Sequence, residues 1–298
     1  MTKQFGPGGS RRGRTKASTF IGLVLPILLV LAGPSRALAE DGSLASEARD
    51  PTSPLLAFQL RYDLVADFHK LSDDTQGTFM LQPVFPFKTG PLSHVARLTF
   101  PFVTHSPSVR SDSDDIAPGL PSTTIRARGK SGLSDIALLD VIIFPVEAGR
   151  LGIGPVMSLP TATNSDLGSQ KWTLGPAAVA MLKAGSIQYG GLFQGFFSFA
   201  GNKNRDEVSR IAMQPFLNYP LPNDWGVGAS EMSFVYDLRR GRAASIPLGI
   251  KVDKLVTLGT QPIRLAFEAE YNFRDTEIAP AWTLRFVFTP LFPLGGGS

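Results

Sequence analysis

The sequence predicts an all-β fold, an antiparallel transmembrane β-barrel of about 12 strands. Three observations carry this reading. Apolar and polar residues alternate over long segments, connections alternate in length, and beyond the N-terminal region no apolar run reaches the roughly 18 residues of a spanning helix. From Arg264 to Arg274, Leu265, Phe267, Ala269, Tyr271 and Phe273 alternate with Ala266, Glu268, Glu270 and Asn272. A strand sends successive side chains to opposite faces, so one face is apolar and the other small, polar or charged. Trp282, Leu284, Phe286 and Phe288 against Thr283, Arg285, Val287 and Thr289 repeat the pattern. Near the front, Phe58, Leu60, Tyr62, Leu64, Ala66 and Phe68 oppose Gln59, Arg61, Asp63, Val65 and Asp67. In a soluble sandwich the apolar face would point inward; in a membrane barrel it meets lipid and the charged face lines the interior.

The chain opens on a basic region, Lys3, Arg11, Arg12, Arg14 and Lys16. An apolar stretch from Phe20 to Gly33 follows, then Ala37-Leu38-Ala39, a small-x-small cleavage site. Residues 1–39 are therefore expected to be a cleaved export signal and residues 40–298 a single barrel domain. Six of the 29 Lys and Arg and none of the 25 Asp and Glu fall in residues 1–39, leaving 23 against 25, a formal −2. The pI near 9.4 thus comes from the leader and gives no support to a nucleic-acid partner. There is no cysteine, hence no disulfide framework and no thiolate chemistry.

Strands are expected near 55–68, 77–88, 94–105, 132–145, 150–161, 171–183, 186–199, 209–220, 225–238, 244–257, 261–274 and 280–292. The odd connections are long, as at Leu71–Gln76, Ser106–Ser131, Ala162–Gln170, Ala200–Val208, Arg239–Ala243 and Asp275–Ala279. The even ones are short, as at Thr89–Pro91, Val146–Gly149, Ala184-Gly185, Leu221–Asp224 and Leu258–Thr260. Membrane barrels have short turns at one end and longer loops at the other. Trp172, Trp225 and Trp282 fall near strand ends, where an interfacial girdle would place them. Prolines 83, 86, 101, 155, 176, 215 and 247 fall inside strands, and each removes a ladder hydrogen bond or requires a bulge.

Several motifs carry a resemblance: Gln82–Phe87, Gly132–Ile136, Leu159–Thr163, Leu167–Pro176, Gln214–Tyr219 and Ile246–Gly249. In order and spacing the chain resembles, from about Gln82 to Pro293, a family of outer-membrane β-barrels associated with the meta-pathway of phenol degradation. The resemblance implies an outer-membrane location and passage of hydrophobic or aromatic compounds, and it offers no catalytic residue to carry over. Outer-membrane lipid, a small-molecule solute and the barrel-assembly machinery are the implied partners. Barrels of this kind usually finish on a terminal aromatic, whereas here Phe292 is followed by Pro293–Ser298.

No catalytic, cofactor or metal site is expected. His69, His94 and His105 sit in no HExxH arrangement, and no Gly-x-Ser-x-Gly elbow occurs. A hydrolytic triad could still assemble in space, because the chain order of its members is free. Asp112-Ser113-Asp114-Asp115 fails as an EF-hand, with Ala117 at the glycine position and Thr123 at the glutamate position. The interior charges Arg61, Asp63, Arg264, Glu268, Glu270 and Arg285 are the candidate lumen-lining residues. They either close on one another as ion pairs or line a path that selects solutes by charge. The expected function is an outer-membrane channel or uptake protein for small compounds, not an enzyme. The alternatives are a purely structural barrel and a membrane enzyme without a recognisable motif.

Overall fold

The structure, a computed structural model, describes residues 41–70, 74–106, 129–275 and 279–293. One short helix, α1 (Asp41–Ala48), precedes the strands β1 (Leu55–Phe68), β2 (Gln76–Thr89), β3 (Leu92–His105), β4 (Gly132–Leu133), β5 (Ile136–Val146), β6 (Gly149–Leu159), β7 (Lys171–Ala184) and β8 (Ile187–Gly201). They continue as β9 (Ser209–Pro220), β10 (Trp225–Ala229), β11 (Phe234–Asp237), β12 (Arg242–Ser245), β13 (Pro247–Leu258), β14 (Gln261–Asn272) and β15 (Pro280–Pro293). Three pairs of segments, β4 with β5, β10 with β11 and β12 with β13, each form one interrupted stave, so the fifteen segments make a closed antiparallel barrel of twelve. Closure is the pairing of β1 with β15, which runs from Leu55↔Pro293 to Phe68↔Pro280. It removes the sheet edge, a requirement where lipid offers no hydrogen bonds to the backbone.

The alternating faces lie as a lipid-facing barrel requires. Arg61, Asp63 and Val65 on β1, Ala266, Glu268 and Glu270 on β14, and Thr283, Arg285 and Val287 on β15 are buried on the inner face. Trp282, Phe288, Leu248, Ile250 and Ile153 project outward and are exposed. One expectation fails: Phe68 is buried rather than outward. Register shifts around Asp67 mark a bulge there, and one extra residue inverts the parity of the strand beyond it.

The short connections share one end. Gly90, Gly185 and Gly259 each take the first position of a two-residue turn with φ of 58°, 58° and 64°, a conformation that suits tight hairpins and that residues with a Cβ resist. The long connections share the other end, where Trp282 packs on Tyr271 at 5.0 Å and Trp172 projects outward. Trp225 lies at the short-turn end, with the Lys254 ammonium 4.9 Å from its ring centre. Three expected strands are corrected. Residues 132–145 break at Ser134-Asp135. Residues 225–238 break at Ser230–Ser233, and residues 244–257 begin at Arg242 and break at Ile246. The expected export signal, the acidic run Asp112–Asp115, most of the Ser106–Ser131 loop and the residues after Pro293 lie outside the described residues.

Depth along the outer face gives a test. Ile153, 57 % exposed at the centre of β6, should tolerate arginine poorly, at a cost of roughly 2–4 kcal/mol in lipid. Leu258, 63 % exposed beside the short turn, should lose only about 0–1 kcal/mol on the same change. Urea titration of both variants in lipid vesicles reads the difference, and equal costs would exclude a lipid-facing outer surface.

Candidate functional site

The barrel interior has two unlike walls. The first is charged and lies on β13, β14, β15 and β1. One rung across these four strands reads Lys251, Glu268, Arg285 and Asp63, with signs alternating from strand to strand. Arg285 and Glu268 are both 0 % exposed. The Arg285 guanidinium grips Glu270 with two bonds, Nη1 to Oε2 at 2.7 Å and Nη2 to Oε1 at 3.1 Å. It also reaches Glu268 and Asp63, each at 3.4 Å. Asp63 is held in turn by Arg61 Nε at 2.9 Å. Burying a charge costs several kcal/mol, so such groups persist only when multiply partnered. Five of the six candidate lumen residues thus close on one another. Arg264 stands apart, 3.8 Å from Asp253 and pointed at a cavity.

The second wall is apolar. Val95, Leu139, Val141, Val179, Leu192 and Phe196 of β3, β5, β7 and β8 pack as one buried cluster on the inner face. Between the walls lies a cavity of about 120 Å³. Inward alternation with small and branched side chains produces this wall, and apolar interior residues gain from contact with one another or with an apolar guest.

At the short-turn end the N-terminal segment enters the barrel. An eight-residue helix is marginal alone, so α1 depends on its docking. Ala45 packs with Ala57, Leu255 and Leu291. Gln188 Nε2 donates to the Ser46 backbone oxygen at 3.0 Å. Arg49 donates from Nε to Asp253 Oδ2 at 2.7 Å and from Nη2 to the Asp224 backbone oxygen at 2.9 Å. A Cβ on Gly226 would meet the Arg49 guanidinium at 2.6 Å, so glycine makes room for it. Arg150 Nη1 donates to Asp50 Oδ2 at 2.7 Å. Charged and apolar contacts together fasten the segment as a plug.

Residues Ser230–Ser233 turn into the lumen. The Glu231 N–H donates to Glu268 Oε2 at 2.7 Å, and its carboxylate accepts from Arg61 Nη1 at 3.0 Å. The departure leaves a break in the wall. β9 pairs with β10 at Asn218–Pro220 and with β11 at Arg210–Met213, so Gln214–Leu217 have no ladder partner on that side. Opposite, β13 pairs with β10 only from Ile250 onward. Pro215 and Pro247, each lacking an N–H, stand on the two margins of the gap. Gln214, Phe216 and Glu231 also line the cavity, so the cavity abuts the gap.

Other motif residues brace the long-loop end. Asp135 accepts from the Ser169 N–H at 2.7 Å, Ser169 Oγ at 2.8 Å and the Ala162 N–H at 3.2 Å, tying three of the resembling segments together. Glu207 accepts from Lys171 Nζ at 2.7 Å, and that bond, with one from Ser198, holds its carboxyl below the usual range. His94 bridges Thr89 Oγ1 at 2.7 Å and Asp140 at 3.2 Å near the β2–β3 turn. His69 contacts the Asn272 backbone oxygen at 2.6 Å, and His105 contacts Thr75 Oγ1 at 3.1 Å. Among the described residues, no group of His, Cys, Asp and Glu is arranged to hold a metal.

Sequence reasoning missed Arg49, Arg97, Glu231, Lys251 and Asp253. The alternation Lys251-x-Asp253 was a readable sign of an inward charged face, and Arg97 shares a strand face with Val95. Glu231 and Arg49 had no such sign, because one depends on a strand break and the other on a segment outside the strands.

No protein-family model and no curated protein matches the chain. Among solved structures, it is similar to the COG4313 outer membrane channel from Pseudomonas putida F1. The TM-score is 0.52 at 15 % identity, over 80 % of this chain and 96 % of that one. It is also similar to the Salmonella typhi outer membrane phospholipase dimer with bound calcium, at TM-score 0.41 and 10 % identity over 80 % and 90 % of the two chains. The likeness to the channel is one of fold.

The charged wall gives the second test. Arg285→Met should destabilise the barrel by roughly 3–5 kcal/mol, since it strands Glu270, Asp63 and Glu268 without their shared cation. Adding Glu270→Gln should recover part of the loss. Urea midpoints in lipid vesicles check both, and a neutral Arg285→Met would show that the network carries no stability.

Proposed function

We propose that this chain is an outer-membrane channel for small hydrophobic or amphipathic compounds, and that it is neither a water-filled pore nor an enzyme. The observation that carries this reading is the apolar wall inside the barrel, centred on Val141, Val179 and Leu192. A pore for hydrophilic solutes has a polar interior. An apolar wall repels water and rewards an apolar solute by about 25 cal/mol for each Å² removed from water. The leader-like N-terminus supports export, and the fold shared with an outer membrane channel supports insertion there. The motif resemblance favours aromatic solutes. The barrel-assembly machinery would insert the chain.

The route rests on the same features. A solute arriving from lipid would enter at the gap beside Ser230–Ser233, where outward Met213, Leu217, Leu248 and Ile250 offer an apolar surround. It would cross the cavity and leave past α1 at the short-turn mouth. The closed pairs of Arg285 leave little of that wall for ion conduction. We read the Thr89–His94–Asp140 chain as a brace for its turn.

Passage then requires α1 to move. The chain has no cysteine, so Ser46→Cys with Gln188→Cys introduces a single pair of thiols on neighbouring residues, Gln188 Nε2 standing 2.8 Å from Ser46 Oγ, and a short bis-methanethiosulfonate reagent joins them reversibly. Gram-negative cells carrying the crosslinked variant should take up radiolabelled toluene no faster than cells without the protein, and reduction should restore uptake. Equal uptake by the crosslinked and reduced forms would rule out an exit past α1.

A further inference from the structure

The cavity between the walls carries three cations that stand outside the closed pairs of Arg285. Arg97 of β3, Lys251 of β13 and Arg264 of β14 all line it, and Lys251 and Arg264 are more than nine-tenths buried. Among the described residues, none of the three makes a side-chain hydrogen bond. Arg97 Nε and Arg264 Nε and Nη2 are enclosed without an acceptor. Arg264 comes within 3.8 Å of Asp253 Oδ2, but that oxygen is already taken by Arg49 Nε at 2.7 Å.

Of the carboxylates on the same cavity, only Glu231 lies in the field of these cations, and it forms no hydrogen bond with any of them. Asp50 and Glu47 face Arg150 at 2.7 and 3.9 Å, and Glu231 is held by Arg61 at 3.0 Å. Enclosed guanidinium N–H groups without acceptors are costly, and an anionic ligand removes that cost by supplying charge-assisted bonds. Opposite these cations stand Val95, Val141 and Leu192, which offer no polar atom. A guest that satisfies both sides has one negative head and an apolar body. The volume sets the size: about 120 Å³ is slightly less than the roughly 150 Å³ of a cavity that accepts benzene.

We propose that this cavity binds a small amphipathic carboxylate of about one aromatic ring or a short alkyl chain. The carboxylate lies on Arg97, Arg264 and Lys251, and the body lies against the apolar wall. This deepens the hydrophobic-channel reading and rests on it. A single ring with a one-carbon substituent is of the scale of this space, and changing only the head group isolates the claim.

The test is equilibrium dialysis of radiolabelled benzoate, benzyl alcohol and benzylamine at neutral pH, against the full chain in lipid nanodiscs, with empty discs subtracted. Benzoate should bind roughly tenfold more tightly than benzyl alcohol, as expected of a hydrogen-bonded charge, and benzylamine most weakly. Arg264→Met should bring benzoate down to the level of the alcohol and leave the alcohol unchanged. Lys251→Met, which keeps both guanidinium groups, should weaken benzoate by a smaller factor. If Arg264→Met does not fold, the ligand order of the unmodified chain decides the matter without it. Benzyl alcohol or benzylamine binding as tightly as benzoate would overturn the carboxylate site while leaving a hydrophobic path intact. Failure of all three to bind would overturn both.

Discussion

A single guanidinium at the seam of the barrel sets the terms for the rest of the interior. Arg285 lies on β15, the strand that closes onto β1, and its register partners are Asp63 on one side and Glu268 on the other. A slip of one residue in either pairing would turn Arg285 toward lipid, where an arginine at mid-depth costs roughly 2–4 kcal/mol, and would separate it from Glu270. The charge network therefore fixes closure as well as satisfying itself. Hydrogen bonds alone would not, because a backbone ladder is nearly indifferent to register.

Concentrating the charges on one wall has a consequence for the other. With Asp63, Glu268, Glu270 and Arg285 gathered on β1, β14 and β15, the strands from β3 to β8 are free to present Val, Leu and Phe inward. The barrel needs neither a water column nor a fully packed core. It is closed instead by α1, held by Arg49 and Arg150, and by the inturned Ser230–Ser233 segment, held by Glu268 and Arg61. Both plugs fasten to the charged side or to the turns, so the apolar wall keeps a cavity beside it. The gap left by Ser230–Ser233 connects that cavity with the outer face.

Much of this was legible in the residues, for definite reasons. Strand existence followed from period-two alternation, which is strong in β14 and β15, where inward Glu268, Glu270 and Arg285 stand among outward Phe and Trp. Connection lengths indicated which ends gather, because hairpin turns and long loops alternate. The site was legible only in part. Alternation assigns a face but not a register, so Arg285, Glu268 and Asp63 could be placed inside without being placed on one rung. The bulge at Asp67 was invisible, since an extra residue leaves no compositional mark, and it moved Phe68 inward. Pro215 and Pro247 were visible as disturbances of the ladder, yet the reason they are tolerated, a wall with no partner to bond, exists only once Ser230–Ser233 leaves the sheet.

The apolar wall is the point on which the functional account stands, and changing it is the direct measurement. Val141→Asn with Leu192→Asn places two polar groups on that wall without touching the charged network or the plug. Gram-negative cells expressing this variant should lose most of the radiolabelled toluene uptake conferred by the unmodified chain. Unchanged uptake, from a variant present in the membrane at the same level, would contradict a path that runs along this wall.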